Sequence, residues 1–279
     1  MSEDIKSDEK KLTEIQPIYS MWLREVIRFF NMKPRVISTV VQPILFLALL
    51  ALPMSRLFHG VPPQMEQAMF GGLNFFSFLV PGIVGIGLLF GGTMSGVTVL
   101  WDKDFGFLKE VMVAPVRRTS LMLGRTFGGL TTGMIQALIT IGVASIFGIW
   151  YGFKISSVSG FLLAIVFCIL TFFIFSCFGI ILGGLFEETE GFMAFVNLIQ
   201  MPLFFLSGAM IPVSQLKGVP VLYQIQFINP LTYGVDGLRS ALTGCAPFFP
   251  LWIDLLVLIA VAAVFLVLGA YTFSRMEVD

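Results

Sequence analysis

The side chains able to do ionic chemistry are densest in residues 101–125, WDKDFGFLKEVMVAPVRRTSLMLGR, which hold Lys103, Lys109, Arg117, Arg118 and Arg125 beside Asp102, Asp104 and Glu110. The apolar residues flanking this stretch, back to 67 and on to 153, carry no charge. Uncharged runs of that length read as membrane spans, so the charged stretch is expected in water on one side of a bilayer. After Gly106 the spacing places Leu108, Val111 and Met112 on one helical face and turns Lys109 and Glu110 away. Pro115 biases Ala114 away from helical angles and ends that short helix before Arg117 and Arg118. Two readings stay open: a solvated loop whose charges fix orientation, or an amphipathic helix at the membrane surface that docks a partner.

Other chemistry is scarce. The sequence lacks a G-x-x-x-x-G-K-[ST] phosphate loop, an H-E-x-x-H pair and a G-x-S-x-G elbow, and its one histidine, His59, falls in a loop between spans. Cys168, Cys177 and Cys245 show no paired framework or metal-ligand spacing and read as packing residues. Asp236 and Arg239, three apart on a helical arm, could pair with each other. Asp254 stands near the start of the last apolar run, and no carboxylate sits in the middle of any run, where a proton-coupled carrier normally needs one. A formal charge of zero offers no basic field for nucleic acid. If this chain moves something uphill, its energy comes from another polypeptide.

These residues must be positioned by membrane helices. The chain is 57% hydrophobic, 14% aromatic and 12% charged over 279 residues, far more apolar than a soluble domain. It reads as an all-α polytopic membrane protein with six transmembrane helices at about 36–58, 73–100, 121–150, 158–186, 191–212 and 250–274, forming one domain over 34–275. Residues 1–12 read as a disordered cytoplasmic tail, residues 13–33 as an amphipathic helix in the interface, and 276–279 as a cytoplasmic C-terminus. With both termini inside, residues 1–35, the 101–125 stretch and Arg275 place thirteen basic residues in the cytoplasm, against Arg56, Lys154, Lys217 and Arg239 outside. Between spans 5 and 6, Pro220, Gln224, Gln226, Asn229 and Pro230 interrupt an uncharged stretch, which reads as a broken, re-entrant helical hairpin on the external side. Glycines four apart, including Gly92 and Gly96, Gly124 and Gly128, Gly179 and Gly183, read as close helix packing.

Three patterns at these positions carry a resemblance: D-x-G-x-L-x-E-x-x-x-A-P-V-R-R from Asp104 to Arg118, F-L-S-G-x-x-x-P from Phe205 to Pro212, and N-P-L-T-Y-x-V-D-x-x-R from Asn229 to Arg239. From about Ile15 to Arg275 the chain resembles the permease subunits of type-2 ABC exporters, nearest their daunorubicin-resistance and nodulation-factor branches. It departs at Trp101 to Asp104, where that family commonly has a Glu-Arg-Glu cluster, a difference bearing on docking contacts. The resemblance implies two permease subunits, identical or related, with two cytoplasmic ABC ATPase subunits beneath them. Gly106, Leu108, Glu110, Pro115 and Arg117 would form a cytoplasmic coupling helix between spans 2 and 3, with Trp22 and Arg28 on the connecting helix beside it. Pro212, Asn229, Pro230, Asp236 and Arg239 would form an external lid.

The substrate path would lie along the fifth and second spans at Phe75, Phe76, Phe90, Met94, Asn197, Met201, Phe204 and Phe205, suited to an amphipathic drug, lipid or lipid-linked glycan. The other reading of these phenylalanines is that most face lipid. No cofactor is expected on this chain, since ATP and Mg would sit on the ATPase, and no catalytic or metal-binding residue is expected. The expected location is the plasma membrane of a prokaryote, with membrane lipids around it. A membrane-embedded lipid-modifying enzyme and an ion-gradient carrier or channel are the alternatives. Co-purification of an ATPase separates the three.

Overall fold

The computed structural model describes residues 2–57, 62–104 and 118–274, and among them there is helix and connecting turn but no strand. Helix α1 is Ser2–Asn31. Helix α2 is Lys33–Leu57, interrupted by a π-helical turn at Leu47–Ala51. Helix α3 is Pro63–Phe70 and α4 is Phe75–Asp104, with a break in its ladder at Met94. Then follow α5 (Arg118–Tyr151), α6 (Val158–Leu185), α7 (Thr189–Phe205), a 3-10 turn at Val213–Gly218, α8 (Pro220–Gln226), α9 (Pro230–Thr243) and α10 (Leu251–Ser274).

Local chemistry sets many of these ends. Asn74 caps α4 by accepting from the Ser77 N–H at 2.8 Å, and Ser157 caps α6 through the Gly160 N–H at 3.0 Å. Pro230 occupies the first turn of α9, where a missing N–H loses nothing, and Gly244 ends that helix at φ +72°, a left-handed conformation that favours glycine. The segment 1–12, expected as a disordered tail, is instead the beginning of α1 from Ser2 onward. The acidic opening Glu3-Asp4 suits a helix N-terminus, a preference that the tail's low apolar content concealed.

Among the described residues five helices, α2, α4, α5, α6 and α10, are long and apolar enough to cross a membrane. The fifth expected span, 191–212, differs. Helix α7 has 17 residues and ends at Phe205, so it measures about 26 Å at 1.5 Å per residue, just short of about 30 Å of hydrocarbon. Turns at 206–211 follow, with Gly208 at φ +75°.

The core gathers around α6. Phe167, Phe172 and Ile174 pack with Leu238 of α9 and Leu258 of α10. Cys168 and Cys177, both free thiols, are buried. Helices α4 and α6 meet almost backbone to backbone: a Cβ on Gly96 would stand 2.2 Å from the Gly179 carbonyl, and one on Gly183 would stand 2.6 Å from that of Gly96. The glycine pairs Gly92/Gly96 and Gly179/Gly183 therefore face each other across one helix crossing.

Candidate functional site

The charged ends of α1, α4 and α5 form one knot. Asp102, in the last turn of α4, accepts two hydrogen bonds from Arg24 of α1, Nη1 to Oδ2 at 3.0 Å and Nη2 to Oδ1 at 2.8 Å. Arg28, one turn along the same helix, approaches Oδ1 at 3.6 Å and lies 5.3 Å over the Trp101 ring. From the other side Arg125 of α5 donates Nη2 to Oδ2. Asp102 and Arg125 are each only 2% exposed. Glu25, buried on α1, adds a second negative charge acting on Arg125. Bidentate and charge-assisted bonds of this kind fix geometry as well as charge.

Packing brings α1 close enough to make the knot. Gly124 and Gly128 form a shallow seat on α5. A Cβ on Gly124 would stand 2.6 Å from the Ile18 carbonyl, and one on Gly128 would stand 2.5 Å from the Glu25 Cβ. Beside them the Trp22 indole Nε1 donates to the Thr131 hydroxyl at 2.9 Å. Lys103 extends the assembly to α6, whose terminal carbonyls at Gly183, Gly184 and Phe186 accept from its Nζ at 3.2, 3.4 and 3.4 Å. A cation at a helix C-terminus also complements the dipole.

Two corrections follow for the charged stretch. Asp102 and Arg125 were expected in water; both are buried inside the protein, because α1 covers them as an additional helix. Arg24, Asp102, Lys103 and Arg125, absent from the expected site, are the centre of the knot, and Trp22 and Arg28, expected on a connecting helix, lie beside them. Gly106, Leu108, Glu110, Pro115 and Arg117, together with the short helix expected there, lie outside the described residues. Asp102 of α4 and Arg125 of α5, on either side of residues 105–117 in the sequence, are bonded to each other and, through Asp102, to α1.

At the other end, the expected external motifs form a second joint. Asn229 caps α9 by accepting from the Leu231 N–H at 3.0 Å, while its Nδ2 donates to the Leu203 carbonyl near the end of α7 at 2.7 Å. One side chain thus serves two helix ends. Thr232 reaches the Leu206 carbonyl at 3.5 Å, and the Tyr233 hydroxyl donates to the Phe227 carbonyl at 2.8 Å. Pro212 precedes the 3-10 turn. The expected Asp236–Arg239 pair does not form. Arg239 donates to the carbonyls of Phe78 at 3.2 Å and Gly208 at 2.9 Å and lies 3.8 Å over the Phe78 ring, while Asp236 accepts from the Phe249 N–H at 2.9 Å. The Phe78 carbonyl and ring, with the Gly208 carbonyl from a turn, take the guanidinium in place of the carboxylate a turn away. Burial pushes the Asp236 carboxyl above the usual carboxylate range, opposed by the Phe249 and Phe248 amides and by Arg239.

The aromatic set proposed as a path divides. Phe75, Phe76 and Phe204 are buried within the subunit, Phe90 and Met94 are half-buried, and Asn197, Met201 and Phe205 are exposed on one side of α7. Phe75 and Phe205 do meet, at a small apolar cavity of about 290 Å³ shared with Met54, Met69 and Met210.

A bundle of long apolar helices, tied at one end by a buried charge knot, is the architecture of a multi-pass membrane protein. The match of residues 16–243 to the ABC-2 type transporter family places the chain in that family. Among its relatives is the protein named as transport permease ycf38 in Cyanophora paradoxa, 26% identical over 227 residues, covering 81% of this chain and 73% of that one. The ycf38 protein of Porphyra purpurea is 24% identical over 226 residues with the same coverage. The inner membrane transport permease YadH of Escherichia coli K12 is 22% identical over 226 residues, 81% of this chain and 82% of that one. The family is one of transport permeases, with an ABC ATPase as partner and often a dimeric assembly.

Proposed function

We propose that this chain is the membrane subunit of an ATP-driven exporter that carries an amphipathic substrate out of the cell, on the daunorubicin-resistance and nodulation-factor side of its family. Two copies of a cytoplasmic ATPase dock at residues 105–117, holding the ATP and Mg, and a second permease subunit completes the path. Helix α7 serves as the fifth of six spans, with both termini cytoplasmic. The observation that carries this reading is the Asp102 knot. A push reaching the ends of α4 and α5 is shared with α1, because Asp102 is bonded to both Arg125 and Arg24, and so it passes into the long helices as rigid-body rocking.

The direct test is purification of the chain from its native membrane followed by identification of what accompanies it. An ATPase should co-purify, and its hydrolysis should rise when the permease is present. Purification of an intact, transport-competent chain without any ATPase would overturn the reading. Topology is checked separately: a cysteine at Thr119 should be shielded from an impermeant thiol reagent in intact cells, and one at Ser214 should react.

A further inference from the structure

The end of the bundle opposite the charge knot holds a cavity of about 830 Å³, closed by the end of α2, the start of α4 and the end of α5. Its walls are aromatic, with Phe76, Phe147 and Trp150 among them, and among the described residues Arg56 is the charged one that lines it. Arg56 is exposed, and among the described residues no carboxylate lines the cavity. Two polar lining side chains are committed elsewhere: Asn74 accepts from the Ser77 N–H and donates to the Tyr151 carbonyl, and the Ser55 hydroxyl donates to the Leu52 carbonyl, each at 2.8 Å. Arg56 beside aromatic walls matches an amphiphile with an anionic head.

Its depth identifies the source of that amphiphile. Helix α4 runs from this cavity to the knot in 30 residues, about 45 Å, which equals the roughly 40–45 Å of a bilayer with its headgroups. The cavity therefore sits at the headgroup level of the leaflet opposite the knot. Trp150, 74% exposed at the end of α5, stands where tryptophan anchors a helix at the interface. We propose that this cavity is a binding site for an anionic phospholipid of that leaflet, its phosphate on Arg56 and its acyl chains against Phe76, Phe147 and Trp150. The site is independent of which substrate is exported.

The test uses the full chain in phosphatidylcholine vesicles carrying a trace of brominated phosphatidylglycerol or brominated phosphatidylcholine. Emission from Trp150 is isolated as the difference between the wild type and Trp150→Phe. Its quenching should favour the brominated phosphatidylglycerol by about five-fold, the scale of one basic residue at an anionic headgroup. Arg56→Lys should keep that preference, Arg56→Gln should abolish it, and Lys154→Gln, at an exposed residue outside the cavity lining, should leave it unchanged. Equal quenching by the two lipids in the wild type, or a preference that survives Arg56→Gln, overturns the proposal. So does displacement by millimolar glycerol phosphate, which would mark a site for a free phosphate instead of a lipid.

Discussion

Asp102 is one carboxylate facing Arg24, Arg28 and Arg125, so the consequence of removing it is large. Asp102→Asn leaves Arg125 buried without its charge partner, and breaking one side of a buried pair costs about 3 to 5 kcal/mol. We expect a matching drop in the thermal unfolding midpoint in detergent, whereas Asp104→Asn, at an exposed position two residues on, should change stability by less than about 0.5 kcal/mol. In the sequence these two aspartates look alike. What separates them is a third helix packed over one and not the other, a tertiary fact that no local pattern encodes. Asn229 was legible as a break in an uncharged stretch and as part of a family pattern, while its role as the cap of α9 came from the structure. The partner across the joint, Leu203, was not legible, because carbonyl acceptors carry no residue identity. Asn229→Ala should lose the α9 cap and the α7 contact together, lowering stability by about 1 to 2 kcal/mol, measured by the same melting experiment.

At the scale of elements, helix bounds followed from where charge and proline interrupt apolar runs, so α6 runs Val158–Leu185 where 158–186 was expected. The expected end of the fifth span missed the turn at Gly208, since Leu206 to Ile211 are apolar enough to continue a helix on hydropathy alone. Glycine spacing showed that close crossings exist without showing their partners: Gly124 and Gly128 look like any other pair, yet they seat α1. Gly124→Val should therefore push α1 off α5, because a Cβ there already meets the Ile18 backbone. We expect protease to reach the chain near residues 15–31 at least several-fold faster in this variant, while Gly142→Ala, whose Cβ meets nothing within 4 Å, should match the wild type. Equal protection in Gly124→Val would mean that the Arg24–Asp102 bonds alone hold α1 in place.

For the whole molecule, the question is which surface meets a second subunit, and α7 points to an answer. Its buried side, Phe192, Val196, Gln200 and Phe204, faces its own bundle, where Gln200 Nε2 donates to the Thr93 hydroxyl of α4. Its other side exposes Phe195, Leu198, Met201 and Phe205 with Asn197 among them. Against hydrocarbon an Asn amide has no partner, so a helix carrying one in mid-span gains by turning it to another polar surface. Helix α10 presents the contrasting case, exposing Ile259, Val264, Val267 and Leu268, all apolar and compatible with lipid. In a Cys245→Ser background, with Cys168 and Cys177 buried, a cysteine at Leu198 should form a disulfide-linked dimer under mild oxidation in the native membrane. A cysteine at Val267, of similar exposure, should remain monomeric. If Val267 cross-links and Leu198 does not, the subunits pair through α10, Asn197 faces lipid, and the path must be sought away from Met201 and Phe205.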